Sequence, residues 1–143
     1  MITNLIKTLQ FHNKSNIVGL VSNVQKLDLK KYHWEQYKKI IPNTYNKTVI
    51  FRDNKFEIIL ISWDKNIETK IHNHPFNGCI MRILEGELLE EIYETKSKEK
   101  LRVNKYIEGD TSYIHDDLYC HKIINGNENS YSLHIYSPPN FYD

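Results

Sequence analysis

Two histidines one residue apart, His72-Asn73-His74, are the sharpest chemical feature of this 143-residue chain. In an extended segment, residues two apart share a face, with Cα atoms roughly 6.6 Å apart. Two imidazoles on one face can converge on a metal ion at about 2.0–2.1 Å. Pro75 ends such a strand just after the pair. A third ligand must come from a neighbouring strand, and His121 in Cys120-His-Lys-Ile-Ile124 is the best placed. Taken alone, a His-x-His pair is equally at home as two structural or exposed histidines. A second constellation is Ser132, His134 and Tyr136. These residues alternate along one segment and therefore share a face. Ser132 could orient His134, and His134 could set the proton position on Tyr136, the logic of a base and its orienter. A polar face of an exposed strand, with Leu133 and Ile135 turned to the core, fits the same alternation.

The elements that must position these residues are strands. From Thr48 onward the chain reads as short β-branched and aromatic runs: 49–51, 56–63, 79–84, 87–93, 111–114, 121–124 and 131–136. Turn signals separate them, among them Glu85-Gly86, Glu108-Gly109-Asp110 and Asn125-Gly126-Asn127. Many short strands at this spacing predict an antiparallel barrel or sandwich. The first 42 residues differ. The run 28–41 predicts a helix, capped by Asp28, with Leu29, Tyr32, His33, Gln36, Tyr37 and Ile40 on one side. Shorter helical stretches are predicted at 5–11 and 17–26. The expected layout is one domain over 1–143: a helical cap over 1–42 and a barrel over 45–139.

Composition narrows the function classes. Hydrophobic residues are 40% and charged residues 26%, ordinary values for a globular core. The net charge of +1 lacks the basic excess of a nucleic-acid protein. No apolar run approaches the ~20 residues that span a bilayer. The N-terminus lacks the pattern of a signal peptide, and two cysteines make no disulfide framework. A cytoplasmic protein with reduced thiols is therefore expected.

The spacing from His72-x-His74 to Cys79 and Gly86, and from Gly109 to His121 and Asn125, is similar to the paired metal motifs of the cupin barrel. Four strings carry a narrower resemblance: Ile71-His-Asn-His-Pro-Phe-Asn-Gly-Cys79, Leu84-Glu-Gly86, Tyr113-Ile-His115 and Ser132-Leu-His-Ile-Tyr-Ser-Pro-Pro139. Over residues 45–139 the chain resembles the cysteine dioxygenases, the thiol dioxygenase branch of the cupin superfamily. The resemblance implies a jelly-roll-like antiparallel β-barrel with a short helical N-terminal cap. It implies His72, His74 and His121 as ligands of one Fe(II) per chain, with O2 as co-substrate. It implies Ser132, His134 and Tyr136 as a relay, and a thioether crosslink between Cys79 and Tyr136. It also places Tyr45 and Lys47 where the family reads a substrate carboxylate.

Two departures from the family pattern bear on the chemistry. A usual cupin carries a glutamate near the position of Cys79, so three neutral imidazoles would here favour an anionic, soft ligand such as a thiolate. Family members that use cysteine carry an arginine where this chain has Lys47, which keeps the charge but loses the bidentate fork. Arg52 and Arg82 are the alternative cations. The activity implied is oxidation of L-cysteine to cysteine sulfinic acid. The alternatives are oxidation of another small thiol, or a non-enzymatic cupin that binds a metal or small ligand. The expected partner is a small thiol, with no nucleic acid and no membrane, and the expected state is a monomer. His115 is read as a turn or surface residue, His12 and His33 as packing or surface residues, Cys120 as a buried thiol, and Trp63 as core or pocket wall.

Overall fold

The computed structural model describes residues 6–7, 17–74, 78–114 and 119–139. Eight strands follow a short N-terminal region: β1 Tyr45–Arg52, β2 Glu57–Trp63, β3 Gly78–Glu85, β4 Glu87–Tyr93, β5 Lys100–Ile107, β6 Thr111–Ile114, β7 Cys120–Asn125 and β8 Ser130–Ser137. They form a five-stranded sheet in the order β1-β2-β8-β3-β6 and a three-stranded sheet in the order β5-β4-β7. All paired strands run antiparallel. The expected β-barrel architecture is thus observed.

The central strands β2, β8 and β3 of the five-stranded sheet are buried on both faces, which explains the continuous apolar run Ile58-Ile-Leu-Ile61 in β2. Ile58, Leu60, Ile80, Leu133 and Ile135 pack outward against Leu20, Val24 and Trp34 of the N-terminal region. Ile59, Ile61, Trp63, Cys79, Met81, Ile83 and Tyr136 pack inward, against Leu88, Ile92 and Ile123 of the other sheet. Leu133 and Ile135 therefore face the cap, and Ser132, His134 and Tyr136 face the barrel interior. The polar face of this alternating strand is therefore buried inside the barrel, not exposed.

Glu85-Gly86 carries the chain from one sheet to the other. Gly86 has φ +83°, and a Cβ there would lie 2.4 Å from Ser130 Oγ, so a side chain has neither room nor an easy backbone.

The cap is less helical than expected. Among the described residues, Ile6 and Lys7 are helical, within the predicted 5–11 stretch, and a helix, α1, covers Val21–Gln25, preceded by a 3₁₀ turn over Ile17–Leu20, within the predicted 17–26 stretch. The predicted helix over 28–41 does not form. Two 3₁₀ turns, Leu29–Lys31 and Glu35–Tyr37, stand in its place, with Tyr32 extended between them. Asp28 does cap, accepting from the Lys30 amide at 3.2 Å. The Leu29 carbonyl accepts the Tyr32 amide at 3.3 Å, in the 3₁₀ pattern, and the Trp34 indole N–H at 2.9 Å, in place of the amide four residues along. Burying Trp34 against Leu20 and Ile58 outweighs helical periodicity here. The predicted helix over 5–11 falls mostly outside the described residues, as do His12 and His115. No helix among the described residues is long and apolar enough to cross a membrane.

Candidate metal centre

After β2 the chain turns back along β7 before entering β3. Thr69 N–H donates to the Ile123 carbonyl at 2.9 Å, and His72 N–H to the His121 carbonyl at 2.9 Å. His72 and His121 are thereby direct partners in an isolated antiparallel bridge. This bridge delivers the third histidine to the His-x-His pair. His74 Nε2 lies 2.8 Å from His121 Nε2, which in turn lies 2.9 Å from His72 Nε2. His74 and His121 are buried, at 2% and 4% exposure.

The ring tautomers decide whether such a cluster suits a cation. His121 Nδ1 is 2.6 Å from a Glu90 carboxylate oxygen, an acceptor, so Nδ1 carries the proton and Nε2 is bare. His72 Nδ1 lies 2.9 Å from the Lys70 carbonyl, again an acceptor, so His72 Nε2 is bare too. Two lone pairs facing each other at 2.9 Å repel unless a cation lies between them. Two nitrogens at right angles around a shared ion, each about 2.1 Å from it, would be about 3.0 Å apart. The donor set and its spacing fit a divalent metal bound by three neutral imidazoles.

Of the remaining predicted site residues, Tyr45, Lys47, His134 and Tyr136 line the same pocket as His72 and His121, together with Trp63. Tyr45 and Lys47 alternate on β1 and so face one way; the Tyr45 ring stacks at a tilt 5.2 Å from Trp63. Lys47 Nζ lies 5.7 Å from the Tyr136 ring centre. Cys79 on β3 is the direct cross-strand partner of Tyr136 on β8, and the two side chains hydrogen-bond. Burial pushes the Cys79 thiol well above its ordinary value; the Lys47 charge and the Tyr136 hydrogen bond offset that only in part.

Ser132, His134 and Tyr136 share the interior face, with an addition that sequence reasoning missed. Trp63 Nε1 donates to Ser132 Oγ at 2.8 Å, and Ser132 Oγ is 2.7 Å from His134 Nε2. An indole N–H only donates, so Ser132 accepts there and its own O–H is available to donate to His134 Nε2. With that hydrogen bond made, neutral His134 carries its proton on Nδ1, 3.8 Å from Cys79 Sγ. Burial, followed by the Lys47 charge and the neighbouring histidines, holds the His134 pKa well below its ordinary value, so the ring is neutral. Its ring stacks 5.9 Å from that of Tyr136.

The alternative cations are engaged elsewhere. Arg52 Nε pairs with Glu57 at 2.6 Å. Arg82 points to the cap, donating to the carbonyls of Val24 and Gln25. Cys120 is a buried free thiol, as expected, and His33 is exposed.

Glu90 was also missed. It accepts from His121 and from Tyr106 Oη at 2.8 Å, and it is 2% exposed. Burial alone would raise its carboxyl pKa, but the His121 contact, helped by Tyr106 and Asn104, holds it below the ordinary value. A signal was present in the sequence: within β4 it falls on the inward register of Leu88 and Ile92, where an acid is out of place without a partner.

Comparison with known proteins agrees with the architecture. The family model for cysteine dioxygenase type I matches residues 2–142. Human cysteine dioxygenase type 1 is 29% identical over 114 residues, covering 74% of this chain and 57% of that protein. The zebrafish protein of the same name is 28% identical over 150 aligned positions, covering 95% of this chain and 74% of the relative. The chain thus spans little more than half the length of several curated relatives. Among solved structures, a Klebsiella pneumoniae protein with a double-stranded β-helix domain superposes with a TM-score of 0.64 at 16% identity, over 76% of this chain and 90% of that one. A cupin superfamily protein from Desulfitobacterium hafniense gives 0.56 at 15% identity, over 69% and 82%. These two show the fold alone. With a match over nearly its whole length and three histidines meeting inside a cupin barrel, the chain belongs to the cysteine dioxygenase type I family.

Proposed function

We propose that the chain is an Fe(II)-dependent thiol dioxygenase that converts L-cysteine and O2 to cysteine sulfinic acid. The observation that carries this reading is the cluster of three imidazoles beside a pocket lined by His72, His121, Lys47 and Tyr136. That set of groups suits a small molecule with a metal-seeking thiol at one end and an anion at the other. The reaction adds both atoms of O2 to one sulfur, RSH + O2 giving RSO2H, so no outside reductant is needed.

Bound to His72, His74 and His121, iron would supply a Lewis acid that deprotonates the thiol and an electron source for O2. The chain's own residues do the rest. Lys47 holds the substrate carboxylate by a charge-assisted hydrogen bond, with Tyr45 beside it. Tyr136 offers its phenol near the reacting sulfur. Ser132 and Trp63 fix the His134 ring, and neutral His134 keeps cationic charge away from the phenol. Trp63, Ile61 and Ile123 exclude water from the pocket. Cys79 and Tyr136 would form a thioether: the S–H and one ring C–H bond break, an S–C bond forms, and two protons and two electrons pass to O2, giving H2O2.

Lys47 favours a second reading, a dioxygenase for another small carboxylated thiol. Lysine grips a carboxylate with less geometric control than arginine and so tolerates a shifted chain length. One experiment tests both. Protein stripped of metal is loaded anaerobically with Fe(II), and O2 uptake is followed with cysteine, homocysteine, cysteamine and 3-mercaptopropionate. Fastest uptake with cysteine supports the first reading, and fastest uptake with another carboxylated thiol supports the second. No thiol-dependent uptake removes both.

A further inference from the structure

We propose that Glu90 is the positioning residue of the metal centre: acting through His121, it fixes which ring nitrogen faces the ion and supplies negative charge to three neutral ligands. The inference rests on the metal reading above.

The arrangement runs across one sheet. Glu90 sits on the central strand β4, Asn104 is its direct partner on the edge strand β5, and Tyr106 is one diagonal step along. On the other side, His121 of β7 pairs with Ile92, so it is diagonal to Glu90 on the same face. One carboxylate oxygen accepts from Tyr106 Oη at 2.8 Å and Asn104 Nδ2 at 3.4 Å. The other is left for His121 Nδ1 at 2.6 Å. Strand β5 thus orients the carboxylate from behind and aims it at a ligand ring.

A carboxylate only 2% exposed has lost most of its solvation. A neutral imidazole returns little of that. A divalent ion on the far nitrogen of the same ring returns far more, because the ring's N–H becomes more acidic and its bond to Glu90 stronger. By the same coupling, Glu90 makes the His121 ring a more basic ligand. The amphipathic pattern of β5 agrees: its inward residues are the polar Asn104 and Tyr106, while Leu101, Val103 and Ile107 lie outside.

The test uses Zn(II), which is diamagnetic and needs no O2. Metal-stripped wild type, Glu90→Gln and Tyr106→Phe are titrated in competition with a chromophoric chelator, and the Zn(II)-loaded proteins are examined by NMR with 15N-labelled histidine. Glu90→Gln keeps the volume and an acceptor but removes the charge. It should weaken Zn(II) binding by about 10- to 100-fold and move the His121 Nδ1–H proton resonance upfield. Tyr106→Phe, which leaves Glu90 in place, should give a smaller change in the same direction and carries the test if Glu90→Gln does not fold. Affinity and resonance both unchanged in the folded variants would overturn the inference, whatever happens to Tm, and leave Glu90 a structural carboxylate. A wild type that takes up no Zn(II) at the three histidines would overturn the metal reading as well.

Discussion

Lys47 brings a positive charge to the pocket, and the proposed function gives that charge the substrate carboxylate to hold. Replacing it by alanine should raise KM for cysteine about ten- to a hundredfold, the loss of one charge-assisted hydrogen bond worth about 1.5–3 kcal/mol. Cysteamine, which has no carboxylate, should be affected much less. Equal losses for both thiols would show that Lys47 does not read the carboxylate; Arg52 and Arg82, tied to Glu57 and the cap, are no substitutes. Cys79 and Tyr136 make a second prediction at this scale. They are cross-strand partners in hydrogen-bond contact. Intact mass spectrometry of iron-loaded, turned-over protein should find a loss of two hydrogens. Tyr136→Phe should abolish the mass change and most activity, whereas Cys79→Ser should abolish the mass change and keep much of the activity. An unchanged wild-type mass after many turnovers would rule out the thioether.

Among the elements, β4, β6 and the ligand-bearing β7 were legible, but the expected strand through His72 and His74 does not form: only an isolated bridge from His72 to His121 holds that segment. The runs at 87–93 and 111–114 match β4 and β6 end to end, because apolar alternation and flanking turns mark them. Strand β5 was missed because its pattern is inverted: Leu101, Val103 and Ile107 face solvent, and Asn104 and Tyr106 face in to reach Glu90. With β5 unseen, the reason for an acid at position 90 was unseen too. The helix over 28–41 failed for the opposite reason, a good local pattern overruled by one buried indole. The exposed face of the same sheet supports a pH prediction. Hydrogen bonds from Lys100, with Tyr93 and Lys122 adding to them against the effect of burial, hold the Glu91 carboxyl down to about 2. A carboxyl lowered in the folded state stabilises above its ordinary pKa of about 4.3 and loses that stabilisation as pH falls toward 2. Between about pH 5 and pH 2, Glu91→Gln should therefore lose less Tm than wild type. Parallel falls in both proteins would show that Glu91 does not carry the acid sensitivity.

At the scale of the whole molecule, one arginine ties the N-terminal region to the barrel. Arg82 projects from β3 on the face away from the pocket, is 7% exposed, and donates to the carbonyls of Val24, Gln25 and Leu27 at the end of α1. Removing it takes a charged donor from all three carbonyls, although the Val24 carbonyl keeps the Leu27 amide at 3.2 Å. Arg82→Ala should cost about 2–3 kcal/mol of stability in denaturant unfolding and leave Zn(II) affinity unchanged. A stability loss below about 0.5 kcal/mol would show that solvent replaces the clamp. The remaining sequence expectations meet in the barrel interior. The partner on β7 and the polar face of β8 are each restricted to one face of a strand, the bridge from His72 to His121 brings the His-x-His pair alongside, and closure of the two sheets makes these groups meet. What strand periodicity could not reveal was which groups stand behind them: Trp63 behind Ser132, and Glu90 behind His121.

The most direct measurement of the central claim is the fate of the oxygen atoms. Iron-loaded protein would be given cysteine under 18O2 with no added reductant, and the product examined by mass spectrometry. The expected product is cysteine sulfinic acid carrying two heavy oxygens, with one O2 consumed per thiol oxidised. Cystine as the product, or sulfinate with heavy oxygen at only one position, would contradict the account.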